Sequence, residues 1–222
     1  MMKETPLAEE LKSAINLLRD IKMKHFSIDY ETMEVARIIY HFYVKRVKER
    51  NREFILDTPT KENIMRMAEI LTDSSSPRFG VVLCGSFGNG KTTMLYAVRD
   101  AIHHFFNQGI ISKHDFRSTI YLLGVKDVIT RAQDDIGYRE LKTIDILMID
   151  DMGTEPKEIM YYGSILTPIT DILEARYNLM KYTFVTTNLS PKEVSEKYGP
   201  RLADRFREMF HIIGYDHPSY RI

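Results

Sequence analysis

A single cysteine, Cys84, in 222 residues leaves no partner for an internal disulfide. No apolar run approaches the roughly 20 residues that a membrane helix needs, so no segment is expected to span a bilayer. The start, Met1-Met2-Lys3-Glu4-Thr5-Pro6, lacks the apolar stretch of a secretory signal. These absences predict a cytoplasmic protein with no membrane partner. Neither sign of charge dominates: Lys plus Arg and Asp plus Glu number 31 each, so the whole chain announces no nucleic acid, although a local patch can bind it. The seven histidines show no metal-ligand spacing with cysteine. His103 and His104 are adjacent on a predicted helix, point in different directions and read as structural. Repeats and low-complexity segments are also missing. What remains, 44% hydrophobic and 28% charged, is the composition of a globular chain able to bury a proper core.

Against that background one stretch stands out: Gly85-Ser86-Phe87-Gly88-Asn89-Gly90-Lys91-Thr92-Thr93, preceded by Val81-Val82-Leu83-Cys84 and followed by Met94-Leu95-Tyr96-Ala97-Val98. It reads as strand, glycine loop and helix, and it fits the phosphate-loop spacing G-x-x-x-x-G-K-[ST] together with the flanks that motif requires. Gly85, Gly88 and Gly90 let the backbone bend and approach a phosphate without a Cβ in the way, so that successive N–H groups face the anion. Lys91 adds a charge for the outer phosphates. Thr92 offers a hydroxyl to Mg²⁺, and the helix brings its positive dipole end to the same place. An ordinary glycine turn explains neither the lysine nor the hydroxyl beside it.

Upstream, Thr5-Pro6 opens a predicted helix over 6–23, with Leu7, Leu11, Ile15, Leu18 and Ile21 as its stripe. A second helix is expected from near Asp29 through Tyr43 into Lys45-Arg46-Val47-Lys48-Glu49-Arg50-Asn51-Arg52, a run of five positive residues and one negative. That run is either a solvated helix end, where cations suit the dipole, or a face that contacts phosphate or a partner. Asp57-Thr58-Pro59-Thr60 starts a helix reaching residue 71, and Ser74-Ser75-Ser76-Pro77 breaks the pattern. The division expected is a helical extension over 1–56, for partner or DNA docking, and a nucleotide-binding domain over 57–222.

Beyond the loop, a helix over 92–107 should stop at Gly109, a strand should follow at 119–123 and a helix at 126–133. Ile144-Asp145-Ile146-Leu147-Met148-Ile149-Asp150-Asp151 is an apolar strand that closes in two carboxylates. A parallel strand buried on both faces reads as continuous hydrophobe and delivers its last side chains to the carboxyl edge of the sheet. Asp150 can then hold Mg²⁺ through water, and Asp151 can orient or activate the attacking water; the alternative is that the pair caps the next element. The strand lying in sequence between the loop strand and this one points to the ATPase branch of phosphate-loop proteins, which has an added central strand.

A helix over 163–178 precedes the strand 182–187, which ends at Asn188. An amide there can reach the γ-phosphate or its water; capping is the competing role, but Ser190-Pro191-Lys192-Glu193 already supplies a better helix start. Last come Tyr198-Gly199-Pro200-Arg201-Leu202-Ala203-Asp204-Arg205-Phe206-Arg207, with Arg201 and Arg205 one turn apart, and a closing strand over 209–215.

The pattern resembles the AAA+ ATPases of the DnaC and IstB type, which include bacterial helicase loaders and the helper ATPases of certain transposons. The likeness rests on GSFGNGKTT at 85–93, DILMIDDMGTEP at 145–156, TFVTTN at 183–188, YGPRLADRFREMF at 198–210 and the final SYR at 219–221. It implies an α/β P-loop NTPase fold, a parallel sheet flanked by helices. Lys91 and Thr92 become the nucleotide and Mg²⁺ contacts, Asp150 the Walker B carboxylate, Asn188 the sensor, Arg201 an arginine finger given to a neighbouring subunit and Arg221 a late nucleotide-contacting arginine. Two departures are visible. Asp151 stands where many relatives carry the longer Glu, and the prefix has no cysteine cluster, so the zinc-bearing amino-terminal domain of some loaders is not expected.

The expected function is ATP and Mg²⁺ binding, with ATP hydrolysis by a homo-oligomer on DNA, single-stranded rather than duplex, that loads or remodels a replicative helicase. A transposition helper acting with a transposase on duplex DNA is the near alternative. A small-molecule kinase and a nucleotide-gated scaffold that does not hydrolyse are the readings from other classes.

Overall fold

The computed structural model describes residues 25–112, 115–161 and 163–220. The helix expected at 6–23 lies outside them, as does Arg221. The chain runs through α1 (Thr32–Glu49), α2 (Thr58–Thr72), β1 (Gly80–Gly85), α3 (Lys91–Asn107), β2 (Ile120–Gly124), α4 (Val125–Arg131) and α5 (Asp135–Thr143). It continues with β3 (Ile146–Met152), β4 (Ile159–Tyr161), β5 (Ser164–Leu166), α6 (Pro168–Asn178), β6 (Tyr182–Thr187), α7 (Pro191–Tyr198), α8 (Pro200–Met209) and β7 (His211–Tyr215).

Five strands form one sheet in the order β2-β3-β6-β1-β7, every neighbouring pair parallel. The strand compositions explain why. All six residues of β6 are buried, and Val81, Val82 and Leu83 of β1 and Ile146 to Ile149 of β3 are buried as well, so neither face of these inner strands is left to water. Helices must then cover both faces, which is what crossover connections between parallel strands provide. The added central strand of the ATPase branch is present as β6, between β1 and β3, whereas the strand at 119–123, on which that expectation rested, forms β2 at the edge of the sheet.

Local chemistry fixes the helix ends. The Asp57 carboxylate accepts from the Thr60 N–H at 2.9 Å to start α2, and Ser190 and Glu193 form a reciprocal capping box at α7. The end of α3 is a Schellman turn: Gly109, at φ +73°, donates to Phe106 O at 3.2 Å while Ile110 donates to Phe105 O at 3.0 Å.

Two elements depart from expectation. Residues 159–166 form a β4-β5 hairpin turning at Gly163 (φ +81°), so the helix expected from 163 begins only at Pro168; proline is suited to the first helical turn and not to its interior. The helix α5 was not anticipated, although its cap is local, with Asp134 accepting from Gly137 N at 2.6 Å.

The segment 25–56 shares the core of the remainder. Phe26, Ile28, Val35, Ile39 and Tyr43 belong to the same buried cluster as the sheet, and α1 packs on both α2 and α3. Arg46 ties the contact at its edge, its Nε donating to Asp100 Oδ2 at 2.7 Å. Cys84 is half-buried, and burial raises its thiol pKa, as fits a packing residue. Among the described residues no group of acidic, histidine or cysteine side chains is placed to hold a metal ion by itself, and no helix is long and apolar enough to cross a membrane.

One buried charge holds the far end of the sheet. Arg176 of α6 is 0% exposed; its guanidinium donates to Thr183 Oγ1 (2.8 Å) and to the carbonyls of Leu141 (3.0 Å), Ile144 (2.8 Å) and Tyr182 (2.7 Å). The five donors of arginine match acceptors that the α5-β3 turn and β6 cannot satisfy by ladder bonds alone. Arg176→Met is therefore expected to cost about 3–5 kcal/mol by stranding buried carbonyls, read as a lower urea midpoint, whereas Lys192→Met on the exposed face of α7 should leave the midpoint unchanged.

Candidate phosphate-binding site

The site begins where β1 runs out. Gly85 (φ +141°), Gly88 (φ +80°) and Gly90 (φ +92°) carry the chain through backbone conformations that L side chains rarely adopt. Space adds to the constraint at two of them: a Cβ on Gly85 would run into the Tyr215 carbonyl oxygen, and one on Gly90 into the Tyr43 hydroxyl. Gly90 is also the N-cap of α3, so the helix opens directly on Lys91 and Thr92 with no side-chain cap on its first N–H groups.

Lys91 is buried, and its ammonium donates to Gly85 O (2.9 Å), Ser86 O (2.6 Å) and Asn89 Oδ1 (3.2 Å), so the charge sits within the curve of the loop. Asn89, 1% exposed, is an anchor: its Nδ2 donates to Tyr215 O of β7 and lies 3.4 Å from Ser86 Oγ. The C-terminal segment crosses the same loop. Tyr220 N donates to Gly88 O at 3.0 Å, and its hydroxyl bonds Asp57 (2.6 Å) and Thr60 (3.0 Å) at the start of α2. Burial and the bond to Asp57 push the Tyr220 hydroxyl pKa up to about 12. Phe87, at 68% exposure, is the outward-facing member of the loop.

Opposite the loop, β3 and β6 bring their ends together. The β3-β6 register shifts between Ile149 and Met152, and Asp151 sits at φ +57°. That irregularity breaks the strict alternation by which adjacent residues would face opposite sides of the sheet. Thr186 holds it from β6, donating its hydroxyl to Asp150 Oδ1 at 2.6 Å and accepting from Asp151 N at 2.9 Å. The same Asp150 oxygen accepts from Thr92 Oγ1 at 3.0 Å, so the first turn of α3 and the end of β3 meet in one contact. Burial pushes the Asp150 carboxyl above the usual carboxylate range; the Thr186 hydroxyl opposes this and the adjacent Asp151 adds to it.

A cavity of about 500 Å³ lies over these groups, lined by the loop from Phe87 to Thr93 and by Asp151 and Asn188. Asn188 Oδ1 is closed off from solvent without a hydrogen-bond partner, and a buried acceptor left unmatched in a cavity wall is a place where a ligand or its water is expected. Thr92, Asp150, Asp151 and Asn188 are therefore gathered as the sequence suggested. Arg201 is not: its side chain is 74% exposed, 3.6 Å from Glu174 of α6, and it does not line the cavity. Arg205 pairs with the same Glu174 at 3.1 Å and lies over the Tyr177 ring.

Sequence reasoning missed part of the wall. Tyr43 and Val47 of α1, with Arg50 and Phe54 after it and Tyr220 near the C-terminus, face the same cavity as the loop. The signal available was the basic run at 45–52, but it does not act as one face: Lys45 and Arg46 pair with Glu49, Arg46 also with Asp100, and Arg50 turns to the cavity. Also unforeseen was the role of Glu155. It is 4% exposed, accepts from Gly153 N at 2.8 Å and from the Tyr198 hydroxyl, while Lys197 Nζ donates to Gly153 O at 2.6 Å. The loop after β3 is thereby bound to the end of α7, next to the turn that launches Arg201.

No family model matches the sequence, and no curated protein sequence matches it. Solved structures do. A crystal structure of the DnaC helicase loader superposes with a TM-score of 0.54 at 20% identity, over 74% of this chain and 94% of that one. DnaI matches with 0.53 at 21% identity over 76% and 88%. The replication initiator DnaA, bound to AMPPCP and single-stranded DNA, matches with 0.52 at 18% identity over 74% of this chain and 49% of its own. Loop, acidic strand, inserted β6 and these superpositions together show that the chain has the P-loop AAA+ fold of the DnaC type.

Proposed function

We propose that this protein binds and hydrolyses ATP, and that as a homo-oligomer it uses this cycle to load or remodel a replicative helicase on single-stranded DNA. The observation that carries the nucleotide reading is the meeting of Thr92, Asp150, Asp151 and Asn188 at one sheet edge beside the Lys91 loop. The partner and the DNA form are carried over from the helicase loader and the DNA-bound initiator whose folds this chain shares.

In this reading the glycine loop and the open end of α3 take the phosphates, with Lys91 neutralising their charge. Mg²⁺ fits the oxygen donors Thr92 Oγ1 and Asp150, which already share a hydrogen bond. When bound it would spread the charge of the transferring phosphoryl group. Asp151, exposed at the rim, orients the water, and Asn188 offers it an acceptor. Arg201 is exposed and outside the cavity of its own subunit, which supports a role at the site of a neighbour. The link from Glu155 to Tyr198 then joins the water-orienting loop of one site to the arginine helix that serves the next.

Lys91→Ala is expected to lose ATP binding by calorimetry, and Arg201→Ala to keep it but drop turnover about 10³-fold. Mixing the two inactive variants restores part of the turnover, because an intact arginine then meets an intact loop; no recovery at any ratio would rule out the neighbour role. Asp151→Asn should leave ATP affinity within about threefold and lower turnover at least about 10²-fold. Asp150→Asn keeps an acceptor for both threonine hydroxyls and removes a buried charge, so its melting temperature should equal or exceed that of the wild type while turnover is lost. Stimulation of turnover by single strands over duplex supports the loader; the reverse preference, with a transposase recovered as partner, would support the transposition helper.

A further inference from the structure

The cavity has two cations that neither the phosphate loop nor the sheet supplies, Arg50 and Arg52. Arg50 is the C-cap of α1, and Asn51 at φ +53° turns the chain away immediately after it. Its guanidinium reaches back over the start of α3, with Nη1 donating to Thr93 Oγ1 at 3.3 Å, and it lines the cavity with Gly90, Lys91 and Thr92. Its neighbours in the basic run are engaged elsewhere. Arg46 is held by Asp100 and Glu49, and Lys45 by Glu49, whereas no carboxylate pairs with Arg50 among the described residues. Glu53 also lines the cavity and forms no ion pair with Arg50; of the two cations there, Arg50 is the one bonded to the start of α3.

The position of this charge is not accidental to the fold. Tyr43, two turns earlier on α1, is buried with its hydroxyl against Gly90, the residue that opens α3. Arg46, one turn before Arg50, is fastened to Asp100, almost three turns further along α3. Two fixed contacts thus set the rotation of α1 on α3, and the remaining direction of Arg50 is toward the open N–H groups at the start of α3. A guanidinium with free donors beside an anion-favouring helix start is a phosphate contact in geometry and in charge.

Resting on the nucleotide-binding reading above, we propose that Arg50 binds the α- and β-phosphates of the nucleotide held by its own subunit. It does so from the Thr93 side of the loop, whereas Asp151 and Asn188 attend the γ end. The helix α1, which precedes the phosphate-loop strand in the chain, is then part of the nucleotide site and takes up a load when the site fills. Its contribution is uniform: a contact to the α- and β-phosphates is equally strong before and after hydrolysis.

The test is a set of binding and turnover measurements on the full chain, with ADP, ATP and adenosine as probes. Arg50→Ala is expected to weaken ADP and ATP alike, by about 10-fold or more, to leave adenosine binding unchanged, and to raise KM with kcat retained. Arg50→Lys should recover part of the loss. Lys45→Ala, which removes the same charge five residues earlier, should bind ADP as the wild type does, which separates a contact from a general field. Thr93→Val removes the hydrogen bond that Arg50 makes within the protein; a structural role alone predicts that Arg50→Ala and Thr93→Val lower the melting temperature together and leave ADP affinity intact, and that result overturns the proposal. ADP affinity in Arg50→Ala within twofold of the wild type overturns it as well, while loss of binding in Lys91→Ala alone would leave the nucleotide reading standing. A wild type that binds neither nucleotide sinks both.

Discussion

The placement of β6 between the loop strand and the acidic strand is the constraint on which the site depends. Parallel strands deliver their carboxyl ends to a common edge, but β1 and β3 are not neighbours, and it is Thr186 of the intervening strand that sets the distance and angle between their ends. Its hydroxyl spends its donor on Asp150 and its acceptor capacity on Asp151 N–H. The irregular register at Asp150 and Asp151 is therefore satisfied, and its left-handed residue is held by a partner strand. The same Asp150 oxygen receives Thr92, so loop, helix, acidic strand and central strand meet through one carboxylate.

The phosphate loop, in turn, is shaped from outside. Asn89 is fastened to the end of β7, Gly88 to Tyr220, and Gly90 lies under the Tyr43 hydroxyl. Each contact comes from a different part of the chain: the last strand, the C-terminal segment and the helix that comes before the sheet. A loop of this kind has few apolar side chains to bury and would otherwise be among the least stable parts of the fold. Packing around it, not its own composition, gives it a single form, and Tyr220 extends that support by bridging to Asp57 at the start of α2.

A second connection runs away from the cavity. The carboxylate of Glu155, buried in the loop after β3, accepts from the backbone of Gly153 and the hydroxyl of Tyr198, and Lys197 closes the same junction through the Gly153 and Glu155 carbonyls. The carboxylate follows β3 closely in sequence and meets the residues that precede Arg201. The end of β3 is thus joined by polar contacts to the start of α8, whose Arg201 and Arg205 face Glu174 of α6.

How much of this could be read in advance differs by element, for a physical reason. The glycine loop, the acidic strand, the Asp57 and Ser190 caps and the Schellman glycine were legible because each depends on residues close together in sequence, and their chemistry is local. Thr186 reads only as one more β-branched residue in a buried strand, since its value lies in touching Asp150 across the sheet. The helix expected from 163 overran the second strand of the hairpin at 159–166, because a short run of mixed apolar residues carries no decisive period. The basic run at 45–52 posed two alternatives that composition had no means to separate. Sequence alone determined the fold class, the loop and the residue types at the sheet edge; only the tertiary structure decided which of those cations faces the cavity, and that α1, Tyr215 and Tyr220 close around the loop, because such contacts join residues far apart in the chain and follow from how helices seat on the sheet.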